Sequence, residues 1–135
     1  MTRLILDTQC LLSAISGYHQ HKSTPLASLW AQFRCHEVIL VFSEASLLEI
    51  QRVLDYPSML RLNITSGQSF AAAAHLLMLG EYHARVPSYS WPSLSDKKDW
   101  FLFDLLYHSA AEALISRDKR VLQAGAVLGL PVRKP

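Results

Sequence analysis

Asp7, Glu49, Asp99 and Asp118 are the residues whose type and placement suit them to chemistry. Asp7 closes the apolar run Leu4-Ile5-Leu6, and Asp118 follows Ala113-Leu114-Ile115-Ser116; both runs read as buried parallel strands. Glu49 and Asp99 fall on apolar helical stretches, where a carboxylate is costly unless something compensates it. Four acids converging on one cleft would need a cation. Each acid also has a plainer reading. Glu49 suits the surface of a helix whose core face is Leu47, Ile50 and Leu54, Asp99 suits the dipole at a helix start, and Asp118 suits a turn after a strand. The signal lies in their placement relative to the elements that carry them.

Those elements alternate between strand and helix. Residues 3–7 read as a strand and 8–16 as a helix, followed by a polar loop over 17–23. Thr24 can cap the next helix, over 26–34, with Pro25 at the first helical position. Residues 37–42 are β-branched and apolar, as a strand covered on both faces should be, and Ser43 caps a helix that runs to Asp55, before Tyr56-Pro57. Thr65 opens a helix reaching Gly80, residues 82–86 fit a short strand or an extended connection, and 87–95 form a loop. A strongly apolar helix starts at Ser95 or Asp96 and continues to Ala111; then follow a strand over 113–116, a helix over 120–128 and an edge strand over 131–133.

This alternation favours an α/β fold in which helices cover both faces of a mainly parallel sheet, with ligands beyond the carboxyl ends of the strands. Asp7, Ser43 and Asp118 lie at or just past those ends. A chain of 135 residues suggests one domain, able to bury about two thirds of its unfolded surface without disulfide staples. Half of the residues are hydrophobic, yet charged residues or histidines interrupt the apolar runs well before the roughly 20 residues of a membrane span. The first residues have no signal-peptide pattern, so a soluble protein in the cytoplasm, with no membrane partner, is expected. Cys10 and Cys35 read as reduced thiols, and a net charge of +2 permits a polyanionic partner without demanding one. No glycine-rich loop follows Asp7, which argues against a nucleotide cofactor.

Four segments in this order and spacing resemble the PIN-domain nucleases: Leu-Ile-Leu-Asp-Thr ending at Thr8; Val-Phe-Ser-Glu-Ala-Ser-Leu-Leu-Glu-Ile with Glu49; Asp96-Lys-Lys-Asp99; and Ala-Leu-Ile-Ser-Arg-Asp118. The likeness is to the single-domain bacterial branch of toxin components akin to VapC-type toxins. It implies a single Rossmann-like three-layer α/β/α domain over 1–135 whose acids bind Mg²⁺ or Mn²⁺ and hydrolyse RNA, restrained by a cognate antitoxin. Asp7, Glu49, Asp99 and Asp118 would take the family's four acidic positions. Asp7 and Asp99 are the best direct ligands. Asp118 would bind directly or through water, and Glu49 would ligate the ion or orient the attacking water. The physics agrees. Two carboxylates about 5 Å apart at an effective dielectric near 20 repel by roughly 3 kcal/mol, so an empty cluster raises some pKa values or recruits a cation. Oxygen ligands without cysteine suit Mg²⁺ or Mn²⁺ better than zinc.

Supporting roles fall to Thr8, Gln9, Ser43 and Ser116, the last suited to hold a water beside the ion. Gln9 stands where the family usually has asparagine, and Arg117 where it often has a small residue. Turned inward, Arg117 would pair with a carboxylate; turned outward, it would grip phosphate. Lys97, Lys98, Arg117, Lys119 and Arg120 flank Asp99 and Asp118, as substrate-steering cations or as ordinary surface charge. Asp104 competes with Asp99, although five residues on it faces another side of the helix. Tyr89, Trp91 and Trp100 could stack bases or pack on the core. His19 and His21 lack a zinc-like pattern and better suit a substrate loop. The helix over 70–79 could meet a second subunit in a homodimer or pack in the core. Gln9 and Arg117 keep a second reading open, that of a non-catalytic PIN-like module binding RNA or protein.

Overall fold

Alternation along the strands sorts the core into two layers. In the computed structural model, which describes residues 1–135, the strands are β1 (Thr2–Leu6), β2 (Val38–Ser43), β3 (Glu81–His83), β4 (Ala113–Ile115) and β5 (Val132–Arg133). All pair in parallel, in the order β3-β2-β1-β4-β5. Successive side chains point to opposite faces. Leu4, Leu6, Leu40, Phe42, Ala113 and Ile115 therefore face one way, onto α1 (Thr8–His19), α2 (Pro25–Arg34) and α4 (Ser66–Leu79). Ile5, Val41 and Leu114 face the other way, onto α5 (Trp100–Ser109) and α6 (Lys119–Leu128). The result is a three-layer α/β/α domain. A smaller cluster, Leu12, Val53 and Met59, seats α3 (Glu44–Leu54) and a 3₁₀ helix (Pro57–Leu62) against α1.

Helix starts follow the caps read from the sequence. The hydroxyl of Thr24 accepts from Ala27 N, Ser43 and Ser46 form a capping box on α3, and Thr65 and Gln68 form another on α4. Four boundaries differ from expectation. Helix α1 continues through Gly17 to His19 instead of stopping at Ser16. Gly17 works there as a spacer rather than a breaker: a Cβ on it would lie 3.2 Å from Ala27 Cβ, so its absence lets α1 and α2 approach closely. Residues 57–62 form a 3₁₀ helix where only a helix end was expected. The segment left between strand and connection is strand β3, three residues long and paired with β2. The helix expected from Asp96 begins as a 3₁₀ turn (Lys97–Asp99) and becomes α-helical at Trp100.

Arg3 ties strand ends to α5. Its Nε donates to Glu81 Oε1 at 2.9 Å and its Nη2 to Oε2 at 2.5 Å, while Nη2 also reaches Ser109 O at 2.9 Å. The guanidinium holds the Glu81 carboxyl at about 2, well below the usual range. Helix α4 buries only Ala72 and Leu76 and leaves Phe70, Leu77 and Met78 exposed, so much of its apolar surface is not core. No helix is long and apolar enough to cross a membrane.

Helix α6 reaches β5 only because Gly125 lacks a side chain: a Cβ there would lie 2.4 Å from Val132 Cγ2 and 2.6 Å from its Cβ. Gly125→Ala is therefore expected to destabilise the protein by about 1–3 kcal/mol, read as a lower urea midpoint with an unchanged slope. An unchanged midpoint would mean that α6 does not sit on β5 in this way.

Candidate active site

The strand order reverses between β1 and β4, so the loops leaving those two strands part in opposite directions and open a crevice at their carboxyl ends. Asp7 directly follows β1, and Asp118 closes the short loop after β4. Asp7 N still donates to Ile115 O at 3.0 Å, extending the β1–β4 pairing by one step. Each aspartate then caps the helix after it: Asp7 Oδ1 accepts from Cys10 N at 2.7 Å, and Asp118 Oδ1 from Arg120 N at 2.9 Å. Ser116, wholly buried, joins the two loops. Its hydroxyl donates to Asp7 Oδ2 at 2.5 Å and accepts from Asp118 N at 3.1 Å.

A cavity of about 440 Å³ lies over this junction, and Asp7, Glu49, Asp99 and Asp118 all line it. Sequence reasoning missed three more members: Asp96, Arg52 and Tyr56. Five carboxylates thus face three cations, Arg52, Lys98 and Arg117. An apolar groove between α3 and α4 is larger, at about 900 Å³, but carries none of these acids. The carboxylates differ in how they are occupied. Asp96 Oδ1 accepts from Lys98 N at 3.0 Å, and Glu49 is held by Arg52, with Nη2–Oε1 at 2.6 Å. Asp99 has no side-chain capping bond, and its carboxyl is pushed up from 3.8 to about 6, first by burial and then by Asp96, Asp118, Asp7 and Glu49. No three acids, histidines or cysteines are gathered closely enough to hold one metal ion with the side chains so placed. The donor type and charge nevertheless fit a hard divalent cation, and the repulsion felt at Asp99 is what such a cation would relieve.

The other expected residues divide clearly. Thr8, Gln9, Lys98 and Arg117 line the cavity. Gln9 is exposed and takes part in neither hydrogen bond of Asp7. Arg117 is exposed and pairs with no carboxylate, so it is turned toward solvent. Ser43 is spent on capping α3, and Lys97, Lys119 and Arg120 are exposed residues outside the cavity lining. Lys97 lies over the Trp100 ring, 5.7 Å from its centroid. Asp104 is occupied elsewhere: its Oδ1 accepts from Tyr89 N at 2.9 Å and from Trp91 Nε1 at 2.8 Å. Trp91 is buried against Phe103, and Trp100 Nε1 donates to Leu94 O at 2.8 Å, so both indoles belong to packing. His19 and His21 sit at and beyond the far end of α1 from Asp7. Cys10 is a buried free thiol pushed up to about 12 by burial and by Asp7, which leaves it unreactive near neutral pH.

Two predictions follow from this arrangement. Because the Asp99 carboxyl titrates near 6 in the folded chain and near 3.8 when unfolded, its ionisation costs stability that is intact below about 4 and lost as pH rises through 6. In EDTA, Asp99→Asn is expected to raise the melting temperature at pH 7.5 by about 3 °C, with the gain fading toward pH 4. A gain equal at both pH values would contradict the electrostatic cause. Asp104→Ala strands two donors and is expected to cost about 2 kcal/mol while leaving divalent-cation binding unchanged in calorimetry.

The PIN domain family model matches residues 3–120 of the chain. No curated protein matches it.

Proposed function

The chain belongs to the PIN-domain family, a family of nuclease-type domains, and from that premise we propose that it is a divalent-metal-dependent endoribonuclease. The observation that carries this reading is Asp99: a half-buried carboxylate without a capping bond, raised to about 6 beside four other acids in one cavity. Asp7, Asp99 and Asp118 would hold Mg²⁺ or Mn²⁺, and Glu49 would join them or orient the attacking water. The bound cation supplies activation of water and neutralises charge growing on the scissile phosphate. The chain's own groups do the rest. Ser116 donates to Asp7 Oδ2 while Cys10 N donates to Oδ1, so the carboxylate is held in one orientation from both oxygens. Lys98 and Arg117, unpaired at the cavity, attract the phosphate backbone.

A second reading is favoured by two observations, that no three acids are gathered and that Glu49 is bound to Arg52. On it, the domain binds RNA or a protein without cleaving. Calorimetry with Mn²⁺ separates the two. The nuclease reading expects saturable binding by the wild type, loss in Asp7→Asn/Asp99→Asn, and affinity about tenfold or more weaker in Ser116→Ala, as for a group that orients a ligand. RNA cleavage should disappear with the same double substitution. No Mn²⁺ binding, with RNA binding that persists in EDTA, would decide for the second reading. A toxin role rests on the likeness to the VapC-type branch. Growth arrest on induction, relieved by Asp99→Asn, would support it, and growth unaffected by the wild-type chain would count against it.

A further inference from the structure

Glu49 and Arg52 face the same cavity as the other acids, yet they are turned toward each other. Arg52 Nη2 donates to Glu49 Oε1 and Oε2 at 2.6 and 2.7 Å, and Nε donates to Oε2 at 3.1 Å. Nη1 donates to the Tyr56 hydroxyl, and the guanidinium lies 5.5 Å from the centroid of the Tyr56 ring. Glu49 is the one cavity acid engaged in an ion pair. The pair is local to one helical turn, and 44% of the Arg52 side chain is exposed, so an incoming anion can displace it. A phosphodiester is tetrahedral, but its two non-bridging oxygens can accept from the guanidinium fork in the same bidentate way as a carboxylate. Tyr56 is 39% exposed and packs into none of the three apolar clusters, which leaves its ring without a role in the core.

We propose that Arg52 and Tyr56 are the substrate clamp of this cavity. Arg52 exchanges the Glu49 carboxylate for a phosphodiester of single-stranded RNA, and Tyr56 stacks on the unpaired base beside that phosphate. The exchange conserves charge at the guanidinium, one anion for another. It also frees Glu49 to turn toward Asp99 when substrate arrives, which couples binding to completion of the acidic cluster. A single strand is required because a base inside a duplex has both faces already stacked. The inference rests on the nuclease reading.

Fluorescence anisotropy in EDTA, with a short labelled single-stranded RNA and with its duplex, tests the clamp apart from catalysis. Arg52→Ala is expected to weaken single-strand binding about tenfold and to reduce the slope of log affinity against log salt by about one, with Arg52→Lys intermediate. Tyr56→Ala should weaken the single strand about tenfold and spare the duplex, and Tyr56→Phe, which keeps the ring but loses the hydroxyl that accepts from Arg52 Nη1, should lie between Ala and the wild type. Glu49→Gln should tighten binding only while Arg52 is present. A gain that persists in Glu49→Gln/Arg52→Ala would show that removing a negative charge suffices and would overturn the exchange. Both side chains are exposed, and unchanged melting curves confirm that the variants fold. Wild-type RNA binding indifferent to Arg52 and Tyr56, or no RNA binding by the wild type in EDTA, overturns the clamp, whereas the nuclease reading stands or falls separately on Mn²⁺ binding and its loss in Asp7→Asn/Asp99→Asn.

Discussion

The hydrogen bond from Ser116 to Asp7 joins the two halves of the domain at the point where they part. β1 and β4 are sequence-distant neighbours, and the chain runs away from each in opposite directions across the sheet. Asp7 Oδ1 closes the first turn of α1, Oδ2 takes the Ser116 proton, and Ser116 in turn receives Asp118 N. One carboxylate and one hydroxyl thereby fix the entry of α1, the exit of β4 and the start of α6. Ser116 is fully buried, which makes the bond costly to break. Stability and site geometry are the same set of contacts here.

Electrostatics at the crevice run against stability. Five carboxylates share one cavity with three cations, and only Glu49 is neutralised by a direct ion pair. The folded chain accommodates this partly by holding Asp99 with a raised pKa. A site that breaks a local rule while the surrounding core obeys it is where function is expected to reside. The cores on the two sheet faces obey it: every buried side chain of β1, β2 and β4 that enters them is aliphatic or aromatic.

Much of this was legible from the sequence because it is local. The caps Thr24, Ser43 and Thr65 announce their helices within three residues, and apolar runs ending in Asp7 or just short of Asp118 mark the carboxyl ends of buried strands. The joint placement of the four acids on one cavity follows from strand order, which alternation of elements suggests but does not dictate. What escaped depends on packing between distant segments. Gly17 reads as a loop opener until Ala27 is seen against it. Asp96 reads as a helix start, and it is one, but it also faces the cavity. Arg52 and Tyr56 reach the site because α3 lies across α1 on the small Leu12–Val53–Met59 cluster, a contact with no signature in composition or period.

The acidic segment 96–99 is held by aromatic packing on its far side rather than by a strand. Trp100 Nε1 grips Leu94 O, Leu94 itself is buried, and Trp91 is pinned by Asp104 and packed on Phe103. The loop over 87–95 is therefore folded onto α5, and the 3₁₀ turn that carries Asp99 links that loop to the first turn of the helix. A carboxylate in an ordinary α-helical first turn would aim at free backbone N–H groups and be stabilised there. Asp99 sits instead at the junction of the 3₁₀ turn and α5, with no capping bond of its own, so its charge is left directed at the cavity. Asp104, which resembles a rival for Asp99 in sequence, instead faces away from the cavity and anchors the preceding loop through Tyr89 N and Trp91 Nε1.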